Sequence, residues 1–530
     1  IMKQTIYILL GLFLTTFYAC IEDKSTVAEL DIDDLHIAGV KQHYSIKSLG
    51  SLNVEPTVYS QYADDKFRYE WYLYDQKQDN TLTDDMVKGF LVSEDSVLNY
   101  QVNVKSGNYN LLLKVFSEKT GLMAQAKASV GVAETNGFFI LKETEEGNTD
   151  MDLLAISFDN SRPQFYADRV KSLMGESFKG KPVHLDIIYE QAFLDPDSLA
   201  VGREFPAIDN TFCVTTDAGD MHFVRYADFL DIMPKEYMFY TEQPSLIPYR
   251  VIRSTGYYVY LFANTGVHYV MKGDRQFVDR GTFSDAVSGC PPASTHVIAE
   301  RLGLLFMYWD QASKSFAGYS SYFYQPTELS SEVKGYDMTD LPYEMQFMGH
   351  TEGAKDEINL AVLREKDNSA SYIYFLNAPF SGLTVTLDSV AKFDKSSLLN
   401  QATEFAINSG GTINSAPYLY FIVDNKFYAH SLVTDRPAEE VRLEGIGSGE
   451  TITYVSNPYW KDKDRPERDF DYVIVGTQQG NTYKVYFYNI IGGKPFGAPV
   501  YTVTGKGKLK QVNYVSSVYS NRISYSFLDH

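Results

Sequence analysis

A chain of 530 residues has room for two to four domains, or for one small module joined to one large β architecture. Lysine and arginine number 47 against 68 aspartates and glutamates, a formal net charge of −21. That balance repels phosphate backbones and anionic membrane surfaces, and it excludes general nucleic-acid binding. The aromatic content of 15% comes from 41 Tyr and 33 Phe but only 3 Trp. Tyr and Phe suit pleated, half-buried surfaces, so the composition predicts an all-β protein.

The chain opens with Lys3 as a short positive region, followed by the nine-residue apolar run Ile6 to Leu14. A run of that length is too short to cross a hydrocarbon core of ~30 Å as a helix, and it reads as a cleaved export signal over residues 1–19. Ala19 stands directly before Cys20. This arrangement resembles the lipobox of bacterial lipoproteins, in which the cysteine is lipidated and becomes the new N-terminus; the alternative is an ordinary secretory signal with an incidental cysteine. Phe17 and Tyr18 are bulkier than the usual lipobox residues. Loss of residues 1–19 removes one lysine and no acid, leaving a net charge near −22. Residues 20–35 are acidic and read as a tether, and Glu22-Asp23 after the cysteine resembles the surface-export signal of Bacteroidetes lipoproteins. The resemblance implies attachment to the outer membrane through the N-terminal lipid, facing the cell exterior. Cys213 and Cys290 remain, either as one disulfide or as two buried thiols. No later apolar run is long enough for a membrane helix.

Residues 36–133 alternate in the manner of strands. Phe67 to Asp75 places Trp71 at its centre, as the C strand of an immunoglobulin-like sandwich does. Gly107-Asn108-Tyr109 then opens an alternating apolar strand, Thr120-Gly121 turns, and Ala124 to Val132 follows. This succession resembles a PKD domain, a spacer or binding module.

From residue 134 to 530 a coarser unit repeats: an apolar strand, a turn and a second apolar strand. Its members start at Phe138, Phe212, Tyr257, Leu304, Ile358, Tyr418 and Tyr472, separated by 74, 45, 47, 54, 60 and 54 residues. Tyr418 to Val423, Asp424-Asn425 and Lys426 to Ala429 form the clearest hairpin. The spacing predicts a β-propeller of about seven blades, with an eighth possible in the wide first gap around His184 to Tyr189. A stack of sandwiches or a jelly roll is the rival architecture.

Catalytic motifs are missing from the sequence. There is no Gly-x-Ser-x-Gly elbow, no His-Glu-x-x-His, and the nearest approach to a phosphate loop puts Pro182 where a hydroxyl is needed. The nine histidines are scattered singly, so no metal site is predicted. A propeller glycosidase would need converging carboxylates, and the densest runs are Asp195-Pro196-Asp197 and Asp462 to Asp469. Both read first as solvated loops. The second has carboxylates for Ca²⁺ without the glycine spacing of a Ca²⁺ loop, so no cofactor is expected.

Aromatic residues beside polar ones give a binding reading. Tyr459 and Trp460 follow Asn457-Pro458, and Trp309 precedes Asp310-Gln311. Flat rings next to Asn, Asp or Gln suit sugar rings. For Trp309 the alternative is a blade-core aromatic. The order of signal, tether, PKD-like sandwich and β-repeat region resembles the PKD-like lipoproteins of Bacteroidetes. That likeness implies a non-catalytic surface protein that binds a glycan or peptide nutrient, or docks on a TonB-dependent transporter of SusC/SusD type. A propeller glycosidase or lyase and a structural or adhesive protein are the alternatives.

Overall fold

A computed structural model describes residues 35–78, 87–156, 162–193, 207–233, 235–254, 258–270, 277, 281–300, 303–351, 357–378, 383–408, 416–434, 436–460 and 469–516. Residues 1–19, Cys20, most of the acidic tether, Asp195 to Asp197 and Asp462 to Arg468 lie outside the described residues. Contacts divide the chain into two compact units. One comprises Ile1–Tyr44, Asn53–Asn99 and Tyr109–Ser129, the other Ser45–Leu52, Tyr100–Asn108 and Val130–His530. Among the described residues, no helix is long and apolar enough to cross a membrane.

The N-terminal region is a β-sandwich. Its five-stranded sheet runs in the order His43–Lys47, Met123–Ala133, Gly107–Ser117, Phe67–Asp75, Leu91–Ser93. Trp71 stands opposite Leu113 in this sheet and is fully buried, with its indole N–H donated to the Asp95 carbonyl at 2.9 Å. The ring fills the core while the one polar atom keeps a partner, which is how a buried tryptophan avoids a desolvation cost.

The C-terminal region is a β-propeller with seven blades among the described residues. Blade 1 pairs Lys508–Val515, from the end of the chain, with Asn136–Glu143, Thr149–Ile156 and Gln164–Tyr166. Blade 2 comprises Pro182–Phe193, Ala207–Thr216 and Met221–Arg225; blade 3, Pro248–Arg253, Val259–Ala263 and Gly266–Tyr269. Blade 4 is Val297–Ala299, Leu305–Asp310, Ser315–Ser320 and Gln325–Pro326. Blade 5 is Tyr343–His350, Asn359–Glu365, Ala370–Asn377 and Thr384–Asp394, with Glu328–Ser331 added in parallel at its edge. Blade 6 is Phe405–Ile407, Tyr418–Val423, Lys426–Ser431 and Glu439–Val441; blade 7, Thr451–Ser456, Phe470–Gln479, Thr482–Ile491 and Lys494–Lys506.

The seven hairpins expected from the sequence each supply the second and third strands of one blade, counted from the axis. Among the described residues the wide first gap holds no eighth unit: His184 to Tyr189 belongs to the inner strand of blade 2, paired with Ala207–Thr216. The first-named strands of the blades face the axis and lie against one another around the ring. Between blades 3 and 4 the Arg250 guanidinium donates to the Val297 carbonyl at 3.0 Å.

The near-continuous apolar runs follow from this geometry. A central blade strand is covered on both faces by neighbouring blades, so both sets of alternating side chains are buried. In Leu305–Asp310, Leu305, Met307 and Trp309 enter the core shared with blade 5, whereas Phe306 and Tyr308 enter the core shared with blade 3. In Tyr418–Val423, Leu419, Phe421 and Val423 face blade 5, and Tyr420 and Ile422 face blade 7. The turn of that hairpin has both Asp424 (φ 49°) and Asn425 (φ 62°) in the left-handed region, the conformation that matches strand twist and that Asp and Asn tolerate. Asn425 then ties the turn to blade 7 by donating to the Glu450 carbonyl at 2.8 Å and accepting from Ile452 N–H at 2.6 Å.

Cys213 and Cys290 are both free thiols. Cys213 lies in the core between blades 2 and 3, and burial pushes the Cys290 thiol up to about 11. Neither is poised to react as a thiolate.

Candidate functional site

Seven inner strands around one axis bring together side chains that are hundreds of residues apart in the chain. On that axis lies a cavity of about 510 Å³, lined by residues of blades 1, 2, 3, 5, 6 and 7. Aromatic rings form much of the wall, among them Tyr189, Phe347, Phe405, Tyr454 and Tyr459. Tyr459 and Trp460, singled out from the sequence, both line it. Their short strand pairs with Phe470 and Asp471 at the edge of blade 7.

The two aromatic residues are placed differently. Tyr459 is half-buried, and burial together with the Asp469 and Asp471 carboxylates raises its hydroxyl to about 12. The hydroxyl therefore stays protonated and able to donate at neutral pH. Trp460 is only 4% exposed, packed edge-on against Tyr514 at 5.0 Å, so it braces the wall more than it offers a face.

Trp309 does not reach the cavity. It is 0% exposed in the core between blades 4 and 5, edge-on to Phe316, and its indole N–H is donated to Gln311 Oε1 at 3.0 Å. This corrects its reading as a ligand platform: a ring covered on both faces has none left for a sugar.

The charged part of the wall was not legible beforehand. Asp186 in blade 2 and Arg250 in blade 3 form a bidentate pair, with Nη2 2.8 Å from Oδ1 and Nε 3.1 Å from both Oδ1 and Oδ2, and Asp186 Oδ2 also accepts the Val251 N–H at 2.9 Å. Burial opposes the Asp186 charge, but Arg250 and then His184 outweigh it and hold the carboxyl well below the usual carboxylate range. His184 Nε2 lies 3.4 Å from Asp186 Oδ1; burial and Arg250 keep its ring below its usual value. Gln511 and Asn513 of blade 1 also line the cavity, but both bind the Leu185 backbone: each donates to its carbonyl, and Gln511 accepts its N–H. These amides fasten the ends of the ring, and no local pattern marks a contact across 326 residues.

Burial also shifts titration along the axis. His296 is held at about 4 by burial and by Lys510, which outweigh its hydrogen bond to the Gln346 backbone, and His350 is held at about 4 by burial and Arg250. An unfolded histidine takes its proton near 6.5, so the unfolded chain binds more protons between that value and about 4, and stability falls as pH drops through this window. Glu404, just before the inner strand of blade 6, is moved oppositely. Burial raises it from its ordinary 4.5 to about 7 against the pull of Lys510. Here the folded state binds more protons, so stability falls as pH rises from 4.5 to about 7. Glu404→Gln is expected to raise the denaturant midpoint at about pH 8 and to leave it nearly unchanged at about pH 4. An effect of equal size at both pH values would show that burial of the carboxylate is not the cause.

Asp186 is the one carboxylate among the described residues that line the cavity. Among the described residues, no group of three His, Cys, Asp or Glu side chains could hold a metal ion. His268 is instead a satisfied core residue, bonded to Thr265 at 2.8 Å and to the Ser284 carbonyl at 2.9 Å.

Residues 20–182 match the sequence model of the PKD-like family. The match covers the sandwich and runs through the first strands of blade 1 to the start of blade 2. No curated protein matches the chain significantly. Among solved structures, a quinoprotein alcohol dehydrogenase-like protein from Bacteroides thetaiotaomicron is similar at 12% identity and a TM-score of 0.44, over 89% of this chain and 96% of that one. A DUF4784 family protein from Bacteroides caccae is similar at 8% identity and a TM-score of 0.33, over 77% of this chain and 95% of the other. The β-propeller domain of Cps50 (Swd1) from Myceliophteria thermophila gives 9% identity and a TM-score of 0.25, over 72% and 94%. By the family match and its own sheet topology, the chain carries an N-terminal PKD-like region and a C-terminal β-propeller with seven blades among the described residues.

Proposed function

We propose that this protein is a non-catalytic lipoprotein of the outer membrane, anchored through Cys20 and facing the cell exterior, that captures a glycan in its axial cavity. In this reading it serves a SusC/SusD-type uptake complex as a binding partner, and the PKD-like sandwich acts as a spacer. The observation that carries the binding role is the cavity wall, where rings such as Tyr189, Tyr454 and Tyr459 stand beside planar polar groups. Sugars are held in this manner, through their apolar faces and their hydroxyls. Binding is favoured over hydrolysis because a glycosidase needs two free carboxylates, and Asp186 is already held by Arg250. The lipobox-like segment before Cys20 supports the anchor.

A glycan array with the purified protein tests the reading. Binding without product release is expected, and Tyr459→Ala should weaken it by about tenfold, the equivalent of ~1.4 kcal/mol. Cleaved product would overturn the non-catalytic reading, and capture of peptides alone would overturn the glycan. Recovery of a TonB-dependent transporter from detergent-solubilised outer membrane is expected with the full chain and lost in Cys20→Ala.

A further inference from the structure

The described lining of the axial cavity is balanced in charge, although the protein as a whole is strongly acidic. Among the described residues, two charged side chains line the cavity, Asp186 and Arg250, and they face each other at 2.8 Å in a bidentate pair. The lining histidines, His184 and His350, are both kept neutral by burial and by Arg250. Farther along the axis Lys510 and Glu404 carry opposite charges when both are ionised, and they act on each other. A carboxylate or sulfate approaching Arg250 would also come near the Asp186 carboxylate that Arg250 already pairs. An ammonium group would approach Asp186 and meet Arg250. Either charge leaves water without gaining an unopposed partner, which costs free energy.

Uncharged hydroxyls face no such cost. Arg250 spends Nε–H and one Nη2 proton on Asp186 and one Nη1 proton on the Val297 carbonyl, so two of its five N–H donors remain. Those donors, with the Tyr459 hydroxyl, suit the oxygen-rich edge of a sugar ring while the aromatic walls take its apolar face. We propose that the axial cavity takes an uncharged saccharide, and that the Asp186–Arg250 pair is the specificity-determining element that rejects uronate- and sulfate-bearing chains. This inference rests on the glycan-binding reading above and narrows its ligand class.

The test compares calorimetric titrations of the full chain with neutral hexasaccharides (cello-, xylo-, manno- and maltohexaose) and with acidic ones (hexagalacturonate and a chondroitin sulfate hexasaccharide). Wild type should bind at least one neutral chain at least about tenfold more tightly than either acidic chain. Raising salt should leave the neutral affinity unchanged, because no net charge is engaged. Asp186→Asn keeps an oxygen to accept the Val251 N–H but frees the Arg250 charge, and it should improve binding of hexagalacturonate. Wild-type binding of an acidic chain as tight as that of any neutral one would overturn the specificity while leaving the glycan reading intact. Failure of all six chains, confirmed by a blank glycan array, would overturn the glycan reading and this inference with it. The wild-type comparison decides the matter even if Asp186→Asn fails to fold.

Discussion

Lys142→Met is expected to destabilise the propeller by about 3–5 kcal/mol, read as a lower denaturant midpoint. Lys142 is 2% exposed on blade 1 and bridges Asp152 Oδ1 at 2.7 Å and Asp168 Oδ1 at 2.6 Å. Asp152 is fully buried, accepts the Asp168 N–H at 2.7 Å and also accepts from the Tyr483 hydroxyl of blade 7. Methionine fills most of the lysine volume, so the loss measures an uncompensated buried carboxylate rather than a cavity. The double variant Lys142→Met/Asp152→Asn should recover part of that loss, since removing both charges removes the imbalance. Strictly additive losses in the two single variants would show that the pair is not coupled.

Phe138→Ala is expected to cost about 3–5 kcal/mol as well, for a different reason. Phe138 is fully buried at the junction of blades 1 and 7, with ring centroids of Phe487, Phe470 and Tyr514 at 4.7, 5.3 and 5.3 Å. It stands directly opposite Tyr514 on the strand from the far end of the chain that completes blade 1. Truncation therefore loosens the closure of the ring as well as opening a cavity. Limited proteolysis should cut the Lys508–Val515 strand earlier in this variant than in Phe262→Ala, where an equally buried ring lies between blades 3 and 4 within one continuous stretch of chain. Equal cutting in both variants would place the weak point elsewhere.

Much of the architecture was legible because blade strands announce themselves locally. Phe306 and Trp309 belong to a run without polar alternation, the pattern of a strand buried on both faces, and Asp424-Asn425 marks its hairpin by backbone chemistry alone. The inner strands were harder to read. Val297–Ala299 and Phe405–Ile407 are three residues long, and His184 to Tyr189 mixes polar and apolar residues because one side lines the axis. The wide gap before Phe212 leaves room for an extra blade there, where the fold has the first strand of blade 2.

The candidate site was legible in one place. Tyr459 and Trp460 stand out because aromatic residues beside Asn and Pro are conspicuous, yet the same criterion also picked Trp309, whose burial depends on blade 5. Asp186, Arg250 and His350 gave no signal, since each is an ordinary polar residue on its own strand.

By itself, then, the amino-acid sequence determined the β class, the repeat and its hairpins, because these depend on contacts between near neighbours. The tertiary structure alone decided which residues meet on the axis and that the Asp186 charge is cancelled. Closing a ring of blades, with the last strand paired into the first blade, makes neighbours of residues more than three hundred positions apart, and no local pattern carries that information.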